Sequence, residues 1–171
     1  MTTITEELHI ILTQVRELIK ESHVVLPKKG EIKLYHHKGI DNFASVGAMF
    51  ISVIQHDYCK FIVVMLKGQT YPLHYHRIKE ESYFILYGDL KVQIEDETVE
   101  LSKGDLVNVP RRYAHSFSTA NGCVFEEVST AYLNNDSVYD DPSIKRMVTD
   151  EKVTSLPISV LLNDEKERYN A

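Results

Sequence analysis

Two histidines one residue apart, His74 and His76, are followed by Glu81 within the stretch GQTYPLHYHRIKEESYFILYG, which runs from Gly68 to Gly88. Alternate side chains of a strand share a face, so His74 and His76 point the same way with Tyr75 opposite. Glu81 stands beyond the short bend 77–80 and opens the next strand; if that strand runs back beside the first, its carboxylate meets the imidazoles. Two neutral imidazoles and a carboxylate suit divalent Fe, Mn, Co, Ni or Zn. Downstream, GDLVNVPRRYAHSFST (104–119) starts a strand at a turn glycine, ends it at Pro110 and begins another at His115. A third imidazole on an inward face would leave an octahedral ion two open positions for water or substrate. The plainer reading makes HYH a surface pair and Glu81 a solvated acid. Tyr83 and Ile85 weigh against it, because they continue the Glu81 face into an apolar interior where an unpaired carboxylate is costly.

These residues need strands to hold them. SVGAMFISVIQ, KFIVVML, SYFILYG, LKVQIED, DLVNVP, AHSFST and CVFEEVST read as strands between Leu34 and Thr130, with Gly-Gln, Gly-Asp, Glu-Asp, Lys-Gly and Asn-Gly as the turns between them. Short strands without intervening helices predict an antiparallel sandwich or barrel. Ahead of them, Leu8, Ile11, Leu12, Val15, Leu18 and Ile19 recur at helical spacing, with Thr3 and Glu6 as a capping box. The expected organisation is a helical segment over 1–33, a barrel over 34–132 and a C-terminal extension over 133–171, partly helical or extended over the barrel.

At both constellations the chain resembles the cupin superfamily. The pattern G-x5-H-x-H-x4-E-x6-G is met by Gly68, His74, His76, Glu81 and Gly88, and G-x5-P-x-G-x2-H-x3-N by Gly104, Pro110 and His115. Arg112 stands where the second pattern has Gly and Thr119 where it has Asn, which predicts a less sharp corner and a cation near the barrel mouth. The resemblance implies an all-β double-stranded β-helix, a jelly-roll barrel, and one divalent metal ion held by His74, His76, Glu81 and His115. It leaves the reaction open, because this fold carries isomerases, dioxygenases, decarboxylases, sensors and storage proteins.

FEEVSTAYLNNDSVYDD (125–141) and the Lys79–Glu81 step look like those of D-lyxose isomerase-like cupins and of cupin modules found with synthases of sialic-acid-like sugars. That resemblance implies a sugar isomerase or epimerase, with Glu127 moving a proton between neighbouring carbons and Lys79 stabilising charge on a sugar oxygen. Strand alternation turns one of Glu126 and Glu127 inward without saying which, and Lys79 also reads as a solvated turn lysine. Tyr83, Arg112 and Phe117 are the candidate substrate contacts. Arg111 and Arg112 are also placed to pair with a phosphate, or to be solvated turn residues. Tyr71, Tyr75, Tyr87 and Tyr113 read chiefly as barrel-wall packing. His36 and His37 read as a loop pair without a metal role. The competing functions are an Fe(II) dioxygenase, which expects a drier pocket, and a non-catalytic cupin that binds a small ligand.

A net charge of −6 over 171 residues argues against nucleic-acid or anionic-membrane partners. Two cysteines, Cys59 and Cys123, lie in apolar runs outside any CxxC pair and read as buried thiols. The acidic N-terminal stretch lacks the apolar core of a signal peptide, and no run reaches membrane-span length. The expectation is a cytoplasmic protein acting on a small molecule, a sugar above all. The amphipathic first helix and the strand GAMFISVIQ, read as an unprotected edge, predict a homodimer.

Overall fold

A computed structural model describes residues 6–37, 39–130, 133, 136–146 and 152–162. Thr3 of the expected capping box and Ala131, Tyr132, Asn134 and Asn135 of the stretch 125–141 lie outside the described residues. The chain runs α1 (Glu6–Ser22), β1 (Glu31–Tyr35), β2 (Ala48–Gln55), β3 (Cys59–Met65), β4 (Thr70–His76), β5 (Glu81–Ile94), β6 (Glu97–Ser102) and β7 (Leu106–Val109). It continues with β8 (His115–Ser118), β9 (Cys123–Ser129), β10 (Ser137–Tyr139), α2 (Pro142–Arg146), β11 (Val153–Pro157) and α3 (Ser159–Leu162).

The expected jelly roll is what forms. Strands pair in the order β10-β4-β8-β5-β9-β3-β2-β1-β11, with β6 and β7 also on β5. The sheet curls over at β5. The first half of that strand, Glu81 to Tyr87, pairs with β7 and β9, whereas Asp89 to Ile94 pairs with β6 and β8. Gly-Asp at 88–89 is therefore not a turn between two strands. Gly88 takes φ +81, and a Cβ there would lie 1.9 Å from the Gly122 carbonyl oxygen. Only glycine allows the strand to bend at this close approach without ending.

Both faces of the central strands are buried, which is why they read as continuous apolar runs. Phe50, Phe61, Val63, Met65, Tyr83, Ile85, Phe117 and Phe125 point into the barrel. Met49, Ile51, Ile62 and Val64 point outward and are covered by Leu8, Ile11, Leu12, Val15 and Leu18 of α1. Burying these five helix side chains contributes roughly 8–15 kcal/mol before the entropy of ordering is counted. Two features behind the dimer expectation are thus satisfied within the chain. The helix packs on its own sheet, and β2 is no edge, because β1 and β3 flank it. The C-terminal segment joins the same sheet at both ends, with β11 pairing β1 and β10 pairing β4. Among the described residues no helix is long and apolar enough to cross a membrane.

Candidate metal centre

β4 carries His74 and His76 into the barrel, and a register shift between Tyr71 and His74 lets Tyr71 share that interior. β8 opens at His115, directly opposite His74, and their ring centroids are 4.2 Å apart. All three histidines are buried, and they present ligand atoms within 4.8 Å of one another. Glu81 borders two of them, with Oε1 3.2 Å from His76 Nε2 and Oε2 3.3 Å from His115 Nε2. It arrives differently from the expectation. β4 and β5 are not neighbours, because β8 separates them, so Glu81 reaches the histidines across the barrel interior.

The donor set fits a cation. His74 Nδ1 lies 2.8 Å from the Pro72 carbonyl and His115 Nδ1 2.9 Å from the Tyr113 carbonyl. Each Nδ1 therefore carries its proton and donates it outward, leaving the Nε2 lone pair facing inward. Burial first, then the neighbouring imidazoles, holds His74 well below the usual histidine range; burial also lowers His76, against the pull of Glu81. The Nε2 atoms of His76 and His115 are fully buried without a hydrogen-bond partner. Lone pairs turned toward a carboxylate are mutually repulsive unless a positive ion lies among them. His74, His76 and His115, with Glu81 beside them, would hold it.

Next to this cluster the interior keeps one ammonium between two carboxylates. Lys79 Nζ contacts Glu81 Oε1 and lies 3.2 Å from Glu127 Oε1. Burial alone would raise Glu81, but Lys79 and His76 outweigh it and hold its carboxyl well below the usual range. Glu127, desolvated and repelled by Glu81, is pushed up to about 8 despite Lys79. Burial would lower Lys79, yet the two carboxylates raise it further than burial lowers it. Glu81 takes the larger share of the cation.

The structure settles which glutamate faces in. Glu127 is 3% exposed, whereas Glu126 points outward and pairs with Lys60. Tyr83 is buried and donates its hydroxyl to Glu81 Oε2 at 2.6 Å, so it orients the carboxylate. Phe117 stacks on Tyr71 with centroids 4.6 Å apart in the cavity wall. Arg112 is exposed and does not line the cavity. Its backbone takes φ +68, so the corner stays as sharp as glycine would make it, contrary to the expectation. Its amide donates to the His76 carbonyl at 2.7 Å. Arg111 is exposed beside Glu80.

The cavity over the cluster measures about 150 Å³. His74, His76, Lys79, Glu81 and Glu127 form its polar floor, while Tyr35, Phe50, Phe61, Tyr71 and Tyr139 form much of its wall. Leu133, Ser137, Lys152 and Val153 complete it from the C-terminal segment, a contribution that the sequence reading left unassigned. Asp136 was also missed; it accepts from the amides of Arg77, Ile78 and Lys79 at 3.1 Å each. A lone aspartate in NNDS carries no spacing signal for this. His37 is no ordinary loop residue. It is fully buried among Tyr35, Tyr71 and Tyr139, and burial together with Lys152 and His36 lowers it to about 3.

Residues 61–125 match the family model described as Cupin domain. A stretch of 60 residues is 35% identical to quercetin 2,3-dioxygenase of Bacillus subtilis (strain 168), covering 33% of this chain and 18% of that protein. The chain thus spans less than a fifth of the length of this curated relative. The structure is similar to that of ligand-free L-ribose isomerase from Cellulomonas parahominis, with a TM-score of 0.68 and 14% identity over 85% of this chain and 96% of that one. The same isomerase with L-ribose gives a TM-score of 0.66 at the same identity and coverage. At this identity the likeness concerns the fold. The chain carries a cupin domain folded as a jelly roll, with a cluster of three buried histidines able to hold a divalent ion.

Proposed function

We propose that the chain is a metal-dependent sugar isomerase interconverting an aldose and a ketose. The observation that carries this reading is the placement of Glu127 and Lys79 on the cavity floor beside the three histidines. His74, His76 and His115, with Glu81, would hold a divalent ion, whose Lewis acidity would polarise the substrate's carbonyl and acidify the C–H bond on the adjacent hydroxyl-bearing carbon. Glu127 then takes that proton and returns it to the former carbonyl carbon, while the hydroxyl proton passes to the former carbonyl oxygen, so that no net proton is gained or lost. Lys79, bonded to Glu127 Oε1, holds that carboxylate in place and offers its charge to the substrate oxygen that becomes negative. Tyr83 fixes Glu81. The aromatic wall excludes water from one side of a small polar substrate while the floor supplies its hydrogen-bond partners.

One observation favours a second reading. Phe50, Phe61, Tyr71 and Phe117 make much of the wall apolar, as a dioxygenase requires for a hydrophobic substrate beside O2. Metal content, O2 uptake and sugar interconversion measured on one preparation separate the two. The isomerase reading expects Mn, Co or Zn, turnover under anaerobic conditions, and loss of turnover in Glu127→Gln with metal content unchanged. Iron with substrate-dependent O2 uptake would replace it by the dioxygenase reading. Bound metal without turnover on any sugar would leave a ligand-binding cupin.

A further inference from the structure

The link from His76 to Glu81, residues 77–80, joins a candidate metal ligand at the end of β4 to a carboxylate at the start of β5, and Lys79 sits within it. Nothing regular holds this link. Three of its four amides are taken up by one side chain from the C-terminal segment, and the fourth, Glu80 N, donates to Thr130 Oγ1 at 3.3 Å. Asp136 Oδ1 accepts from Arg77 N and Ile78 N, and Oδ2 accepts from Lys79 N, all at 3.1 Å. The same Oδ2 lies 3.9 Å from His76 Nδ1, and the next residue, Ser137, places Oγ 3.3 Å from that nitrogen. Asp136 is 5% exposed, so its charge is satisfied almost wholly by these donors. His74 and His115 are oriented by carbonyls two residues back in the chain, those of Pro72 and Tyr113. Among the three, only His76 has its outer nitrogen facing side chains from another part of the chain.

We propose that Asp136 is a positioning residue for the metal centre. Its carboxylate folds the 77–80 link into the one shape that aims His76 at the metal position and sets Lys79 between Glu81 and Glu127. Ser137 completes the orientation of His76 through the β10–β4 pairing, in which Ser137 stands opposite His76. The C-terminal segment is thereby part of the metal site, although its strands carry none of the candidate ligands. The assignment rests on the metal-centre reading. Outer partners of metal-bound histidines typically change metal affinity by about 10- to 100-fold when removed.

The test is Co2+ titration against a competing chelator on the full chain, with the Co2+ absorption spectrum recorded and amide exchange of residues 77–79 followed in the metal-free protein. Asp136→Ala is expected to weaken Co2+ binding at least 10-fold, shift the spectrum and free the three amides to exchange. Asp136→Asn retains an acceptor oxygen, so it should fall between the two, and it serves if the alanine variant does not fold. Wild-type affinity and spectrum in a folded Asp136→Asn and Asp136→Ala would overturn the assignment while leaving the metal centre intact. A wild-type chain that binds no Co2+ would overturn the metal-centre reading and this proposal with it.

Discussion

Replacing Lys79 by methionine removes the one ammonium that serves two buried carboxylates. The side chain of Lys79 is 14% exposed and those of Glu81 and Glu127 are 2% and 3% exposed. Water can therefore do little to replace the lost partner. Breaking a buried ion pair by deleting one member typically costs about 3–5 kcal/mol, because the remaining charge stays desolvated. For a domain of this size each kcal/mol moves the melting temperature by about 2–4 °C, which puts the expected drop at roughly 6–20 °C. Glu127 softens the loss by protonating, so the lower half of that range is expected at pH 6 and the upper half at pH 8. The assay is thermal unfolding of chelator-treated Lys79→Met beside wild type, with the double variant Lys79→Met/Glu127→Gln as control. Removing the second carboxylate's charge should recover the part of the drop that grows between pH 6 and pH 8, and leave the part due to unpaired Glu81. Adding Mn2+ should recover part of the loss in the single variant, since a cation at the histidines also faces Glu81. A metal-free single variant melting within 2 °C of wild type would refute the claim that Lys79 is the buried counter-ion of this carboxylate pair.

Two further predictions concern the fold around the site. His37, held neutral to about 3, contributes stability that is complete above its usual 6.5 and is lost as pH falls, because the unfolded imidazole then takes up a proton that the folded one refuses. The loss is about 1.4 kcal/mol per pH unit, approaching about 5 kcal/mol near pH 3; buried His74 and His76 add to it in the same direction. His37→Phe, which keeps the ring packed among three tyrosines, should flatten urea-unfolding stability between pH 6.5 and 5 by about one proton's worth, and an unchanged slope would show that His37 is not the group responsible. Gly88→Ala should cost more than about 3 kcal/mol, because the new Cβ meets a backbone oxygen at 1.9 Å in a left-handed backbone region. Soluble, fully folded Gly88→Ala with a wild-type melting temperature would mean that β5 does not pass the Gly122 backbone so closely.

The residues that could bind metal were legible in the sequence because strand alternation is a local rule. HYH puts two imidazoles on one face whatever the rest of the chain does, and the motif spacing adds Glu81 and His115. An antiparallel sandwich or barrel was legible in closely spaced short strands with no helices between them, and the jelly roll came with the resemblance at the two motifs. The helix, too, showed its buried stripe at its own period.

What the sequence withheld depended on which strands meet. Glu126 and Glu127 are equivalent on paper, and only the register of β9 against β3 and β5 turns Glu127 inward and gives Glu126 to Lys60. The bend at Gly88 looked like a turn because a glycine with positive φ serves both purposes, and only the close approach of Gly122 separates them. Arg112 occupies a glycine position, but its φ is imposed by the chain on either side and by the hydrogen bond its amide donates to the His76 carbonyl. Asp136 and His37 gave no signal at all, since their partners lie 57 or more residues away for the first and on three separate strands for the second. Local periodicity determines what a residue can face. Long-range pairing decides what it does face, and here that decision selected the carboxylate, the ammonium and the C-terminal aspartate that complete the site.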